Sequence, residues 1–276
     1  MSFIVSRIWR GLPSPVQFIK ARKFPCHVTK CYRQLYFLLV CLTSGLIIVP
    51  GQLLAQETLV LNTAFTPPLA NNAQTGFLNI VIGEALNRIG YNMEAVRLPA
   101  ERALINANAG IDDGDLSRIA GLQKIYPNLI QVPEAVLDVE FVVFTMDAEF
   151  SSQGWQSLKP YSVAYITGWK ILEHNIMETA KLTRVKNAEQ LFTMLVKKRV
   201  DVIIYTRWSG LGYIEEHNLH GIKILEPALD RQSMYVYLHK KHRNLVPKLA
   251  SALRAMKRDG SYQRAYQKIL APLVEK

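Results

Sequence analysis

Four places in this 276-residue chain carry side chains suited to gripping a small molecule, and none carries a set that would transform one. Arg102 beside Glu101, and Arg118 behind Asp112, Asp113 and Asp115, each offer a planar guanidinium fork for a carboxylate or phosphate. The competing reading of Arg118 is an ion pair with one of those acids. Thr167-Gly168-Trp169 precedes a helical pattern. Threonine there can cap the helix and glycine lets the backbone approach an anion, the alternative being a simple cap and turn. Tyr205, Thr206, Arg207 and Trp208 follow an apolar strand pattern and join a cation to aromatic surface. Phe65, just before Pro67-Pro68, suits an apolar wall or a buried loop anchor.

Catalytic and metal chemistry find little support. The histidines at 27, 174, 217, 220, 239 and 242 fall near the N-terminus, on helix surfaces or beside lysines. His217 and His220 sit at a helix end, where histidine serves the dipole more often than a metal. Asp112-Asp113-Gly114-Asp115 looks like the start of a calcium loop but lacks the closing glutamate. No nucleophile elbow, P-loop or His-Glu-x-x-His is present. The expectation is a protein with no catalytic residue, no metal and no cofactor. An enzyme would need a cleft carboxylate, for which Glu101 and Glu134 are the placed candidates.

Elements must position those side chains, and the chain divides before they begin. Residues 1–55 hold all three cysteines and no Asp or Glu. Basic residues from Arg7 to Arg33 precede an apolar run of 15 residues, Leu35–Val49, then Pro50-Gly51 and Ala55. That order is a secretory signal cut after Ala55. The run is shorter than the roughly 20 residues of a membrane span, although an uncleaved anchor is the alternative. The net charge of +11 falls to +4 beyond the leader, with 26 basic against 22 acidic residues. That leaves no concentrated basic face for nucleic acid.

From Gln56 on, strand and helix patterns alternate. Strands are predicted at 58–63, 91–98, 115–119 and 135–146, with helices at 76–89 and 101–109. A second alternation follows, with strands at 162–166, 182–185 and 200–205 and helices at 171–180, 188–198 and 209–218. Strands at 222–225 and 234–238 and helices within 245–270 complete the chain. Such alternation makes sheets covered by helices. Two halves follow, joined near 144–150 and again near 228–234.

In this order the residues resemble the periplasmic solute-binding proteins of family 3, the amino-acid-type receptors of ABC transporters. The resemblance spans residues 57–276. It rests on Phe65-Thr66-Pro67-Pro68, Gly76-Phe77, Val163 to Gly168, Lys198 to Val202, and Leu253, Met256 and Asp259-Gly260-Ser261-Tyr262. It implies an α/β, two-lobed type II periplasmic-binding-protein-like fold, with two α/β lobes joined by a two-strand hinge. Lobe 1 is then 56–146 and 232–276, and lobe 2 is 147–231. It further implies a monomer in the periplasm that holds a small-molecule ligand between the lobes and meets a membrane permease or sensor protein, and no nucleic acid. Phe65, Arg102, Arg118, Thr167, Gly168, Trp169, Thr206 and Trp208 are the expected ligand-binding residues. Three departures stand against an ordinary amino-acid ligand. The segment Gln123 to Ala135 lacks the family's carboxylate-binding arginine, Thr206 occupies the place of its ammonium-binding aspartate, and Gly76-Phe77-Leu78 lacks an aspartate. The expected solute is small, polar and anionic.

Overall fold

The computed structural model describes residues 56–274, so the signal expected at 1–55 lies outside the described residues. Buried apolar side chains at Leu59 and Leu61 seat β1 (Glu57–Thr63) in the core, and β2 (Tyr91–Arg97) and β3 (Gly114–Arg118) lie parallel on either side of it. Two 17-residue strands follow the same axis in opposite senses, β4 (Leu129–Thr145) and β8 (Lys223–His239). They pair from Leu129↔His239 to Thr145↔Lys223. Beyond them, β7 (Val202–Thr206) pairs antiparallel to β4, and β5 (Ser162–Ile166) and β6 (Lys181–Val185) follow in parallel. The order β2-β1-β3-β8-β4-β7-β5-β6 places one α/β lobe at each end, with β4 and β8 as the two connections.

Seven α-helices cover this sheet among the described residues. They are α1 (Phe77–Asn87), α2 (Ala100–Ala109), α3 (Lys170–Asn175), α4 (Ala188–Val196), α5 (Arg207–Glu216), α6 (Val246–Arg258) and α7 (Ser261–Ile269). None is long and apolar enough to cross a membrane.

Three expectations change. The strands predicted at 222–225 and 234–238 are one strand, β8. Its register against β4 slips between Phe141 and Val143, opposite the segment holding Pro227, because proline donates nothing to the ladder. The helix predicted at 171–180 stops at Asn175. There the Asn175 Nδ2 donates to the Ile171 carbonyl at 2.8 Å, and Ile176 leaves helical geometry to be buried. The helix predicted from Ser209 begins at Arg207, which turns Trp208 inward.

The last two helices return to lobe 1. Phe77 of α1 meets the rings of Tyr262 and Tyr266 edge-on at 5.4 and 6.3 Å. Between α6 and α7, Asp259 accepts from Arg88 at 2.6 Å and from the Ser261 backbone N–H at 2.9 Å. The Arg88 guanidinium, followed by Ser261, holds the Asp259 carboxyl well below the usual carboxylate range. A depressed carboxylate stabilises the fold above its unfolded value of about 3.9, and that support is lost as pH falls through the folded value. Asp259→Asn should therefore lower Tm at neutral pH. The gap to the wild type should close toward about pH 2, which a series of melting curves would measure. A gap that widened on acidification would contradict this assignment.

Candidate ligand-binding site

Parallel strands collect the loops at their carboxyl ends on one side of a sheet, and ligands enter the crevice there. Here the ends of β1, β2 and β3 in one lobe face the ends of β5, β6 and β7 in the other. The first loop is Ala64-Phe65-Thr66, fixed by Phe65 N–H donating to Thr63 Oγ1 at 3.1 Å. The second runs from Arg97 to Ala100 and is tied to the first by Leu98 N–H donating to the Thr63 carbonyl at 3.0 Å. Across the cleft, Thr167 N–H donates to the Val185 carbonyl at 2.9 Å, and Gly168 turns the chain at φ +90°. Asn187 caps α4 by accepting from Gln190 N–H at 2.9 Å, while Gln190 Oε1 accepts from Lys186 N–H at 3.0 Å.

The lobes touch. Thr66 Oγ1 and the Tyr205 hydroxyl are 3.3 Å apart, and Glu101 pairs with Lys170 at 3.0 Å. Lys170, with its hydrogen-bonded ammonium, holds the Glu101 carboxyl below its ordinary value, and burial pushes the Tyr205 phenol up. Trp169 joins the lobes through rings. It lies edge-on to Phe65 at 6.0 Å and Phe141 at 5.9 Å, and tilted on Tyr205 at 5.4 Å.

Around Trp169 the crevice has two compartments that share Ala64, Ala100 and Trp169 as walls. One is a mainly apolar recess of about 80 Å³, walled by Phe65, Leu104, Phe141, Trp169 and Met234, with Arg118 and Lys170 at its edge. The Ser117 hydroxyl belongs to this wall, is 3 % exposed as a residue and has no partner. An unpaired buried hydroxyl costs about 1–3 kcal/mol, so a ligand atom that met it would gain. The other compartment is a polar cavity of about 350 Å³ bounded by Arg97, Thr66, Thr167, Lys186, Asn187 and Tyr205. It runs on into a groove of about 410 Å³ that reaches Glu189, Glu216 and His217.

The expected binding residues separate on this geometry. Phe65, Arg118, Gly168 and Trp169 line the apolar recess, and Thr167 and Trp169 line the polar cavity. Arg118 also makes the ion pair that competed with ligand contact, with Nη2 2.7 Å from Asp115 and 3.1 Å from the Ala100 carbonyl. Thr167 does not cap a helix. Trp169 holds the N-cap position of α3 without a side-chain bond. The Gly168 N–H, expected to face an anion, donates instead to Glu173 at 2.8 Å.

Three expected residues lie elsewhere. Arg102 is exposed on the outer face of α2 with Ile105, because Ala103, Leu104 and Ala107 take the buried face. Thr206 is fully buried at the start of α5 and borders neither compartment. Trp208 lines a separate recess with Tyr262 and Tyr266, edge-on to Tyr266 at 5.9 Å. Arg207 stacks on no ring among the described residues, and its guanidinium bridges Glu140 and Glu226.

Sequence reasoning missed Arg97, Lys186 and Asn187. Their signal was position alone, since Arg97 ends β2 and Lys186-Asn187 follows β6.

No family model matches the sequence. A protein of Shewanella oneidensis described as uncharacterized is 30% identical over 199 residues, 70% of this chain and 75% of that one. Among solved structures, an ancestral arginine-binding protein bound to glutamine superposes with TM-score 0.66 at 20% identity, covering 78% of this chain and 99% of that one. The GluR0 ligand-binding core from Nostoc punctiforme in complex with L-glutamate gives 0.64 at 17% identity, over 77% and 99%. The amino acid ABC transporter substrate-binding protein AbpA from Streptococcus pneumoniae, bound to L-arginine, gives 0.64 at 14%, over 80% and 97%. The chain belongs to the same family as the Shewanella oneidensis protein, and its fold is the two-lobed α/β fold of the amino acid substrate-binding proteins of ABC transporters.

Proposed function

We propose that this is an exported solute-binding protein that captures a small polar, anionic solute between its lobes for ABC-type uptake. Lobe 1 takes residues 56–146 and 232–276, and lobe 2 takes 147–231. The observation that carries the reading is the polar cavity walled from both lobes, with Arg97 on one side and Lys186 on the other, each free of any side-chain hydrogen bond or ion pair among the described residues. A pair of connecting strands suits hinge closure around a guest. Closure would bury the solute and present one face of each lobe to a membrane permease. The same hinge closure suits a second reading, in which it reports to a membrane sensor.

A screen of unbiased solute classes by thermal shift tests the capture role. A ligand at a hundred times its Kd should add about 2.7 kcal/mol of stability, visible as a Tm rise of several degrees. Small-angle scattering should show compaction with that ligand if the lobes open when empty. A complete screen with no Tm shift for any class would remove the capture role.

A further inference from the structure

We infer that the solute is an organic anion without an ammonium group, carrying a short aliphatic tail. This rests on the capture role proposed above and specifies its ligand class. Among the described residues that line the polar cavity none is acidic, and its two charged side chains, Arg97 and Lys186, are both cationic and both unpaired. Two cations on a cavity whose described lining holds no acidic residue raise the local concentration of anions there and disfavour an ammonium held beside them, while Glu189 and Glu216 stand in the adjoining groove that Arg97 also borders. The cations at the edge of the apolar recess differ, because Asp115 answers Arg118 while Glu101 and Glu173 answer Lys170. The charge left for a guest therefore lies at Arg97 and Lys186.

The tail follows from the walls that the two compartments share. A carboxylate placed between Arg97 and Lys186 leaves the rest of its molecule beside Ala64, Ala100 and Trp169, the entrance to the apolar recess. That recess of about 80 Å³ is roughly half the size of the 150 Å³ apolar cavity that admits benzene. It suits a branched chain of a few carbons and excludes an aromatic ring. The competing guest is a zwitterion whose ammonium turns the other way, along the outer groove toward Glu189 or Glu216.

Three matched probes separate these cases by isothermal titration. They are 4-methylpentanoate, leucine, which adds the ammonium, and 3-methylbutylamine, which is leucine without its carboxylate. The expected result is binding of 4-methylpentanoate at least tenfold tighter than leucine, with no binding of the amine. Arg97→Ala and Lys186→Ala should each weaken the carboxylate about tenfold or more, the loss of one hydrogen bond to a charged group. Both residues are exposed and unpaired among the described residues, so neither variant should disturb folding. Leucine binding as tightly as 4-methylpentanoate, binding of the amine, no binding of 4-methylpentanoate at millimolar concentration, or unchanged affinity in both variants would each overturn the inference. If the unbiased screen still yields a cleft ligand, such as a zwitterion or a sugar, the capture role stands and only this ligand class falls. If the screen yields nothing, both fall.

Discussion

Asp115→Asn should destabilise the protein by about 3–5 kcal/mol, the loss seen when one member of a buried ion pair is removed. For a domain of this size that is a fall in Tm of roughly 6–20 °C. Asp115 is 0 % exposed, and the Arg118 side chain is 13 % exposed. Burial pushes the Asp115 carboxyl up, and the Arg118 guanidinium and the Ser117 N–H work against that push. Removing the carboxylate charge takes away the ion-pair partner of the guanidinium, which also donates to the Ala100 carbonyl. Because Ala100 begins α2 and is a wall of both ligand compartments, the same variant should also weaken ligand binding. The double variant Asp115→Leu with Arg118→Met removes both charges and should recover part of the lost stability. Chemical denaturation of the three variants decides. A cost below about 1 kcal/mol for Asp115→Asn would mean that the pair behaves as a surface bridge.

Phe144→Ala should cost about 3–5 kcal/mol through the cavity that it leaves. Phe144 on β4 is fully buried in the core of the second lobe, with its ring 5.8 Å from that of Phe192 on α4. Another neighbour is the bare backbone of Gly210 on α5, where an added Cβ would stand 2.1 Å from the Phe144 ring. Gly210→Ala should accordingly cost about 1–3 kcal/mol by overpacking, although alanine is the better helix former. The double variant should cost less than the sum of the two, by at least about 0.5 kcal/mol, because the methyl partly fills the space that the ring vacates. Strict additivity in a denaturation cycle would show that the two sites do not share one packing volume.

Much of the architecture was legible because it is local. The alternation of apolar spacing and the helix end before Gly110 each depend on residues a few positions apart, and the elements follow them. The continuity of β8 was not legible. A strand holding Pro227 and polar residues is stable there only because β4 supplies the ladder beside it. The need for glycine at 210 was not legible either, because the ring that fills the space beside it belongs to Phe144, far away in the chain.

The candidate site divides along the same line. By itself the sequence determined which loops would meet, because strand ends can be read from periodicity, and this brought Phe65, Thr167, Gly168 and Trp169 to the cleft. Only the tertiary structure decided which cations face it unpaired. Arg102 points outward, Arg118 meets Asp115, Lys170 meets Glu101 across the lobes, and Arg97 and Lys186 have no ion-pair partner among the described residues. A helical or strand period assigns a face to a side chain, but its free charge is what remains after every neighbour has been counted. Most of those neighbours come from distant parts of the chain, so the charge offered to a ligand belongs to the fold.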